Sequence, residues 1–592
     1  MKRIILGLGL FFSMGLSITK AQVSEGGLPA VADPAYTAQL ISPQSIPQVS
    51  FQSPDPRTSA IQDSINYALH NGLLRIGTLI NSDIDFRNVG TITTMPDGLK
   101  IWQLRISVPN SHALGLYYDA FHLPDGVKYF LTNSTGKQIL GAYTSQNNTD
   151  DGSFATEKVQ GGIINLEMDI SPNVDINAIK FHINNIAVFD KATAYLNQYA
   201  LESGSNLKTT SVLMPYDSSS PCEVNAACAT GFTNQKNATV HIEYLYPAVH
   251  PRYVYGATGV MINNTSGDCA PLVLTASHVE PTNQTSNATF SNWIFYFNYQ
   301  TPACSYSGAQ PSSSQSITGA SFKARASYDS ASNKIAADYL IVQLNSQPLR
   351  SYNAYLAGWD RSDALLPLSG TFISFHHPGG DVKKVSTTSL IKPNGNFNGG
   401  GTNTHWALTW LTGGTEEGSS GAGLFNNSGN EIGILSGGVT DKPSCTTPNS
   451  SGEEISDYAV YSKLAYDWAY SVSGSTPLGS VLDPTGSGVT TLSGTTACGT
   501  MAVLPVPNIA SDIDIYPNPV RDILYTAINQ QGSANVNIEV YNVVGTRLSN
   551  IVAQQSASAK YRLDLSNYPA GIYMLHVLVN NVLTVKKITL SR

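Results

Sequence analysis

Most of this chain is written in short runs of strand length. The stretches "LKIWQLRISV" (99–108) and "HALGLYYDAFHL" (112–123) are bounded by the turn signals "MPDG" and "LPDG", and similar runs recur to the C-terminus. A period of two places every second side chain on one face, so each run can bury one face in a sheet, and few segments carry the 3.6-residue period of a long helix. The 30 tyrosines and abundant Gly, Ser, Thr and Asn fit the same reading. The expected fold is mostly β. At 592 residues it must be divided among several cores.

The opening "MKRIILGLGLFFSMGLSITKAQ" has two basic residues, a short apolar core and small residues at Thr19 and Ala21. It reads as a secretion signal over 1–21, because the apolar stretch is too short to span a bilayer comfortably. Export permits disulfides, and the six cysteines fit that better than metal binding because none shows C-x-x-C spacing. A charged fraction of 12% and a net charge of -8 give no footprint for nucleic acid.

Three regions follow the signal. Residues 22–208 lack cysteine and read as a separate N-terminal β module; residues 209–498 hold all six cysteines. The Pro-containing, charge-poor stretch "TMAVLPVPNIAS" supports a linker over 499–511, and residues 512–592 alternate like a small β-sandwich. Within the last region Tyr516, Pro517, Asn518 and Pro519, then Gly571, Ile572, Tyr573 and the pair Lys586 and Lys587, resemble the sorting domain of type IX secretion cargo. The resemblance implies recognition by outer-membrane secretion machinery, then release or attachment at the cell surface.

The segment "TEEGSSGAGLFNNSGNEIGILSGG" (415–438) sets two serines among glycines. A serine hydroxyl becomes a useful nucleophile only when a positioned base takes its proton. After Ser420 the only histidine is His576, in the sorting region, so a base must lie upstream. Of six histidines between 209 and Ser420, His278 in "CAPLVLTASHVEP" stands where the apolar run Leu272–Leu274 gives way to a turn. His376 and His377 in "FHHPGG" read as structural, being adjacent and pointing apart on an extended chain. For the acid, Asp338 in "KIAADYLIVQLN" heads an apolar strand, where a carboxylate needs a hydrogen-bonding partner; Asp360 in "AGWDRS" is its competitor.

The order His278, Asp338, Ser420, with "TASH" and "GSSG", resembles chymotrypsin-like proteases. More narrowly, "YQTPAC", "AGWDRS", "HHP", "TEEGSSG" and "SGG" recur in the order seen in bacterial lysyl endopeptidases. The resemblance implies a double β-barrel catalytic domain flanked by an N-terminal β propeptide and the C-terminal sandwich. It implies Ser420 as nucleophile, backbone amides of Gly418 and Ser420 as an oxyanion hole, and Ser436, Gly437 and Gly438 as substrate-binding backbone. Asp457, in "GEEISDYAVYSKLAYDW" with Glu453 and Glu454 nearby, matches the specificity aspartate, so cleavage after Lys is expected, with Arg less favoured. The resemblance also pairs Cys222 with Cys445 and Cys228 with Cys304, leaving Cys269 and Cys498 as a candidate pair.

Some positions depart from the family pattern. Ser419 stands where an aspartate is familiar, so activation should proceed by removal of an inhibitory segment. Val279 and Ala257 replace an expected disulfide, and Ser436 stands where lysyl endopeptidases can carry a histidine. Self-cleavage after Lys208 would free the catalytic region. The expectation is a secreted serine endopeptidase acting on proteins or peptides, needing no metal or organic cofactor. The alternative is a surface adhesion or binding protein on a degenerate protease scaffold.

Overall fold

The computed structural model describes residues 27–190, 219–439, 457–498 and 513–591, apart from short stretches inside those ranges. The signal segment 1–21, the linker 499–511, and Lys208, Cys445, Glu453 and Glu454 lie outside the described residues. The chain forms two compact units, Leu28–Ala502 and Val503–Arg592. The architecture is mostly β.

The N-terminal part of the first unit is two packed sheets. In the strand Lys100–Ser107, Trp102, Leu104 and Ile106 are buried, and they meet Leu114, Leu116 and Tyr118 of the strand Ala113–His122 in one core. The two-residue period read from the sequence is thus the inward face of each sheet. The second sheet also contains β1 (Leu74–Asp85), which does not end at the module's edge. It continues the sheet of the following region.

That region holds two barrels. In the first, β2 (Thr239–Tyr246), β3 (Tyr253–Ile262), β4 (Leu272–Thr275) and β5 (Leu340–Leu344) are neighbours, with β4 antiparallel to both β3 and β5. Their core includes the fully buried Trp293 and Trp359. The second is a closed ring. It runs through β6 (Leu368–His376), β7 (Lys384–Gly395), β8 (His405–Thr409), β9 (Glu431–Val439) and β10 (Tyr458–Lys463), in the spatial order β6, β7, β8, β10, β9. The short strand Gly423–Phe425 closes it by pairing with both β6 and β9.

Cys228 is bonded to Cys304, and Cys269 to Cys498. The second bond is the candidate pair, and it ties the end of this unit back to the first barrel. The partner expected for Cys222 lies outside the described residues.

The second unit is a three-stranded sheet and a four-stranded sheet around Ile513, Leu524, Val536, Ile538, Leu575 and Val577. Asn518, from the Tyr-Pro-Asn-Pro run, clamps the last strand. Its Nδ2 donates to the Lys587 carbonyl at 2.9 Å, and its Oδ1 accepts from the Thr589 amide at 2.9 Å.

Candidate active site

Strand register brings the histidine and the acid together. Thr275 at the end of β4 pairs with Leu340 at the start of β5. In an antiparallel pair, the residues just beyond one strand lie beside those just before its partner. His278, in the turn Ser277–Val279, therefore meets Asp338: Nδ1 lies 2.8 Å from Oδ2, and the His278 amide donates to Oδ1 at 3.1 Å. On the other side of the ring, His278 Nε2 lies 2.9 Å from Ser420 Oγ. All three side chains are buried.

Ser420 is held between the barrels by β3. The Thr258 amide donates to the Ser420 carbonyl at 2.9 Å, and Thr258 Oγ1 donates to the Gly418 carbonyl at 2.9 Å. Gly421 has φ +85°, and a Cβ there would collide with Thr275 Oγ1 and the Thr258 carbonyl. Gly418 has φ +89°, and its Cβ would come 2.7 Å from the His377 carbonyl oxygen. The glycine density around the serine pair thus reflects left-handed backbone and close approach, which only glycine accepts without strain.

Asp338 is fully buried, yet it stays ionised. Burial pushes its carboxyl up, but the charge and hydrogen bond of His278, with hydrogen bonds from Ser436 and Ser277, bring it down to about 2. Ser277 Oγ donates to Oδ1 at 2.9 Å. Behind Ser436, His405 Nε2 lies 3.1 Å from its Oγ, and burial pushes that imidazole down to about 4. A second carboxyl, Asp467, accepts from the Asp338 amide at 3.2 Å and from Ser462 Oγ at 2.7 Å; burial raises it well above the usual range. The two carboxyls are thus pushed in opposite directions, Asp338 down and Asp467 up.

The competing residues stand elsewhere. Asp360 is half-buried and occupied by the Ser362 amide at 2.9 Å and Asn426 Nδ2 at 3.4 Å. Ser419 Oγ lies 2.8 Å from His376 Nδ1 and accepts from the Glu416 amide at 3.3 Å. Burial, with Lys384 nearby, pushes His376 down to about 3, so a neutral hydrogen-bonded pair fills the place of the familiar aspartate. His377 Nδ1 is 2.9 Å from the Asp381 carbonyl oxygen. Gly437 and Gly438 pair with Val460 and Ala459, and Asp457, half-buried at the head of β10, accepts from the Trp410 amide through its carbonyl at 2.6 Å.

Sequence reasoning did not find Thr258, Ser277, His405 or Asp467. Ser277 adjoins His278, and Asp467 sits in the quoted run after Asp457, in the short helix Leu464–Ala469; neither residue type is rare enough at such positions to stand out.

Residues 216–459 match the family of lysyl endopeptidase C-terminal domains, and residues 514–591 match the secretion system C-terminal sorting domain. Among solved structures, a Glu endopeptidase is 14% identical, with 41% of this chain and 91% of that one covered, at a TM-score of 0.24. A biofilm-associated protein BSP domain is 8% identical, covering 87% of this chain and 81% of that one, at 0.16. Dimeric latent PorU from Porphyromonas gingivalis is 8% identical, covering 87% of each chain, at 0.12. Likenesses at these scores carry no argument about the fold. With a lysyl endopeptidase family domain at its centre and a secretion sorting domain at its end, this chain is a serine-type endopeptidase that is secreted or held at the cell surface.

Proposed function

We propose that the protein hydrolyses peptide bonds after lysine through Ser420, His278 and Asp338. The observation that carries this reading is the unbroken chain of hydrogen-bond distances, 2.8 Å from Asp338 to His278 and 2.9 Å from His278 to Ser420. His278 takes the Ser420 proton as Oγ attacks the scissile carbonyl, then returns it to the leaving amine; water hydrolyses the acyl-enzyme with the same base. Asp338 holds the ring with Nδ1 protonated and stabilises the imidazolium that forms. The amides of Gly418 and Ser420 receive the oxyanion. An organophosphate reagent should label Ser420 in the matured protein, and absence of label there would leave the surface-binding alternative in place.

Lysine preference is assigned to Asp457, with Ser436, Gly437 and Gly438 flanking the pocket. A carboxylate at the base of a narrow pocket pairs with a long cationic side chain. Asp457→Asn should lower kcat/KM on lysyl substrates by about a hundredfold, the equivalent of roughly 2.7 kcal/mol for a charge-assisted hydrogen bond made in a desolvated pocket. Peptide maps of wild type and variant on one test protein measure this. An unchanged lysine preference in the variant would refute the assignment.

Maturation follows from the same specificity. The proposed division is a propeptide over 22–208, a catalytic domain over 209–498 and a sorting domain over 512–592, with self-cleavage after Lys208. N-terminal sequencing of the secreted protein should begin at Thr209. Deleting residues 512–592 should abolish extracellular protein while leaving Ser420 reactive in cell extracts, since the deleted unit contributes none of the site's residues; normal extracellular amounts would contradict the sorting role.

A further inference from the structure

The N-terminal part reaches the candidate site through one strand. β1 runs antiparallel to β3, with Leu74 opposite Gly256, Arg75 opposite Tyr255, Gly77 opposite Val254 and Thr78 opposite Tyr253. Two residues beyond Gly256, Thr258 holds the carbonyls of Gly418 and Ser420. The end of β1 nearest Ser420 is thus its first residue, and the strand runs away from the serine in the N-to-C direction. A bound substrate has the same polarity on its leaving side, because the residues after the scissile bond extend N-to-C away from the nucleophile.

The side chains fit that geometry. Leu74 is 2% exposed, and its Cδ2 would lie 2.8 Å from a Cβ placed on Gly418, 3.3 Å from one on Gly256 and 3.4 Å from one on Gly380. Three glycines therefore form a recess filled by one aliphatic side chain. Ile76, on the same face two residues on, would lie 3.4 Å from a Cβ on Gly256 and 3.4 Å from one on Gly380. Leu73 joins instead the core of the first barrel, which includes Ala257, Ala276 and Val279 around the His278 turn. Farther along, the half-buried Lys158 pairs with the buried Glu243 of β2, and Tyr296 Oη donates to the same carboxylate at 3.0 Å. Ser316 Oγ donates to Glu157 at 2.6 Å. These contacts fix the N-terminal part at a distance from the chemistry, so β1 is held in place by more than its own pairing.

We propose that β1 occupies the leaving-group side of the cleft as a substrate-like strand, with Leu74 in the recess that takes the second residue after the scissile bond. This rests on Ser420 being the nucleophile. Extended peptides add to an exposed strand edge by main-chain hydrogen bonds and are selected by pockets for alternate side chains. The N-terminal part thus excludes substrates that continue past the cleaved bond. Once it is removed, the same recess selects Leu or Ile at that position.

The test compares uncleaved full-length protein, its Leu74→Asp variant and matured enzyme on two substrates. One is a lysyl ester with no residue on the leaving side, the other a peptide with several. Uncleaved wild type should turn over the ester at a rate near that of matured enzyme but cleave the peptide at least about tenfold more slowly. Leu74→Asp should restore peptide cleavage without changing the ester rate. In matured enzyme, which does not depend on that variant folding, Leu rather than Asp at the second position after lysine should raise kcat/KM by about 10- to 200-fold, the range for an apolar pocket. Equal peptide rates in uncleaved and matured protein, an uncleaved chain inert to the ester as well, or no preference at that position would each overturn the proposal. A matured enzyme inert to both substrates, with Ser420 unlabelled, would instead bring down the Ser420 reading and the proposal with it.

Discussion

Ser420→Ala is expected to lower kcat by about a millionfold, the loss typical when the nucleophile of a triad is removed. The residual rate comes from binding and oxyanion contacts that the substitution leaves in place. The variant should fold, because Ser420 is anchored through its carbonyl to the Thr258 amide rather than through its hydroxyl alone. Ser419→Ala is the control. It removes the group that faces His376 Nδ1 at 2.8 Å and accepts from Glu416 at 3.3 Å, which costs about 1–3 kcal/mol of stability. Its activity should stay within about tenfold of wild type, the equivalent of about 1.4 kcal/mol. Single-turnover kinetics with thermal melts separates the two: a rate effect without a melting shift at Ser420, a melting shift with little rate effect at Ser419. Equal losses of rate from both would move the nucleophile assignment off Ser420.

The two serines look alike in the sequence, and what distinguishes them is the direction in which each hydroxyl points. Much else could be read directly. The alternation of Trp102, Leu104 and Ile106 is the face of one strand that enters the core between the two sheets, while Ile101 and Gln103 are buried on its other side. His278 and Asp338 stand beside apolar runs that became β4 and β5, so local pattern located both. Pairing between strands distant in sequence left no such mark. Leu74 and Gly256 lie opposite each other only because β1 joins the sheet of the first barrel, and no local period encodes that choice. The N-terminal region reads as a separate module for the same reason: its internal periodicity is complete, and the edge it shares with β3 is visible only in the register. His376 was legible as structural, but its partner Ser419 was not, since 43 residues separate them and buried polar groups pair across whatever the fold brings near.

Asp338→Asn is the second large loss, expected at about ten-thousandfold in kcat with the fold preserved. The carboxylate accepts at both oxygens, from Ser277 Oγ and the His278 amide at Oδ1, while Oδ2 lies 2.8 Å from His278 Nδ1. An amide oriented to keep its oxygen toward Ser277 and the His278 amide must turn its NH2 toward Nδ1. The ring then accepts at Nδ1 and carries its proton on Nε2, the atom 2.9 Å from Ser420 Oγ, so it cannot take the serine proton. Asp360→Asn, by contrast, leaves a half-buried side chain whose amide oxygen still accepts from the Ser362 amide, and should change kcat by less than about twofold, within the range of substitutions away from the site. A pH series adds an independent readout. Asp338 titrates near 2 in the folded chain, below the unfolded value of about 3.9, so it contributes stability that is fully present above about pH 4 and is lost as pH falls through about 2. Asp338→Asn should therefore flatten the dependence of unfolding free energy on pH across that window while the wild type keeps its slope. If Asp360→Asn proved the more damaging to kcat in a folded protein, or if Asp338→Asn left both the rate and the acid slope unchanged, the orienting carboxylate would have to be sought elsewhere.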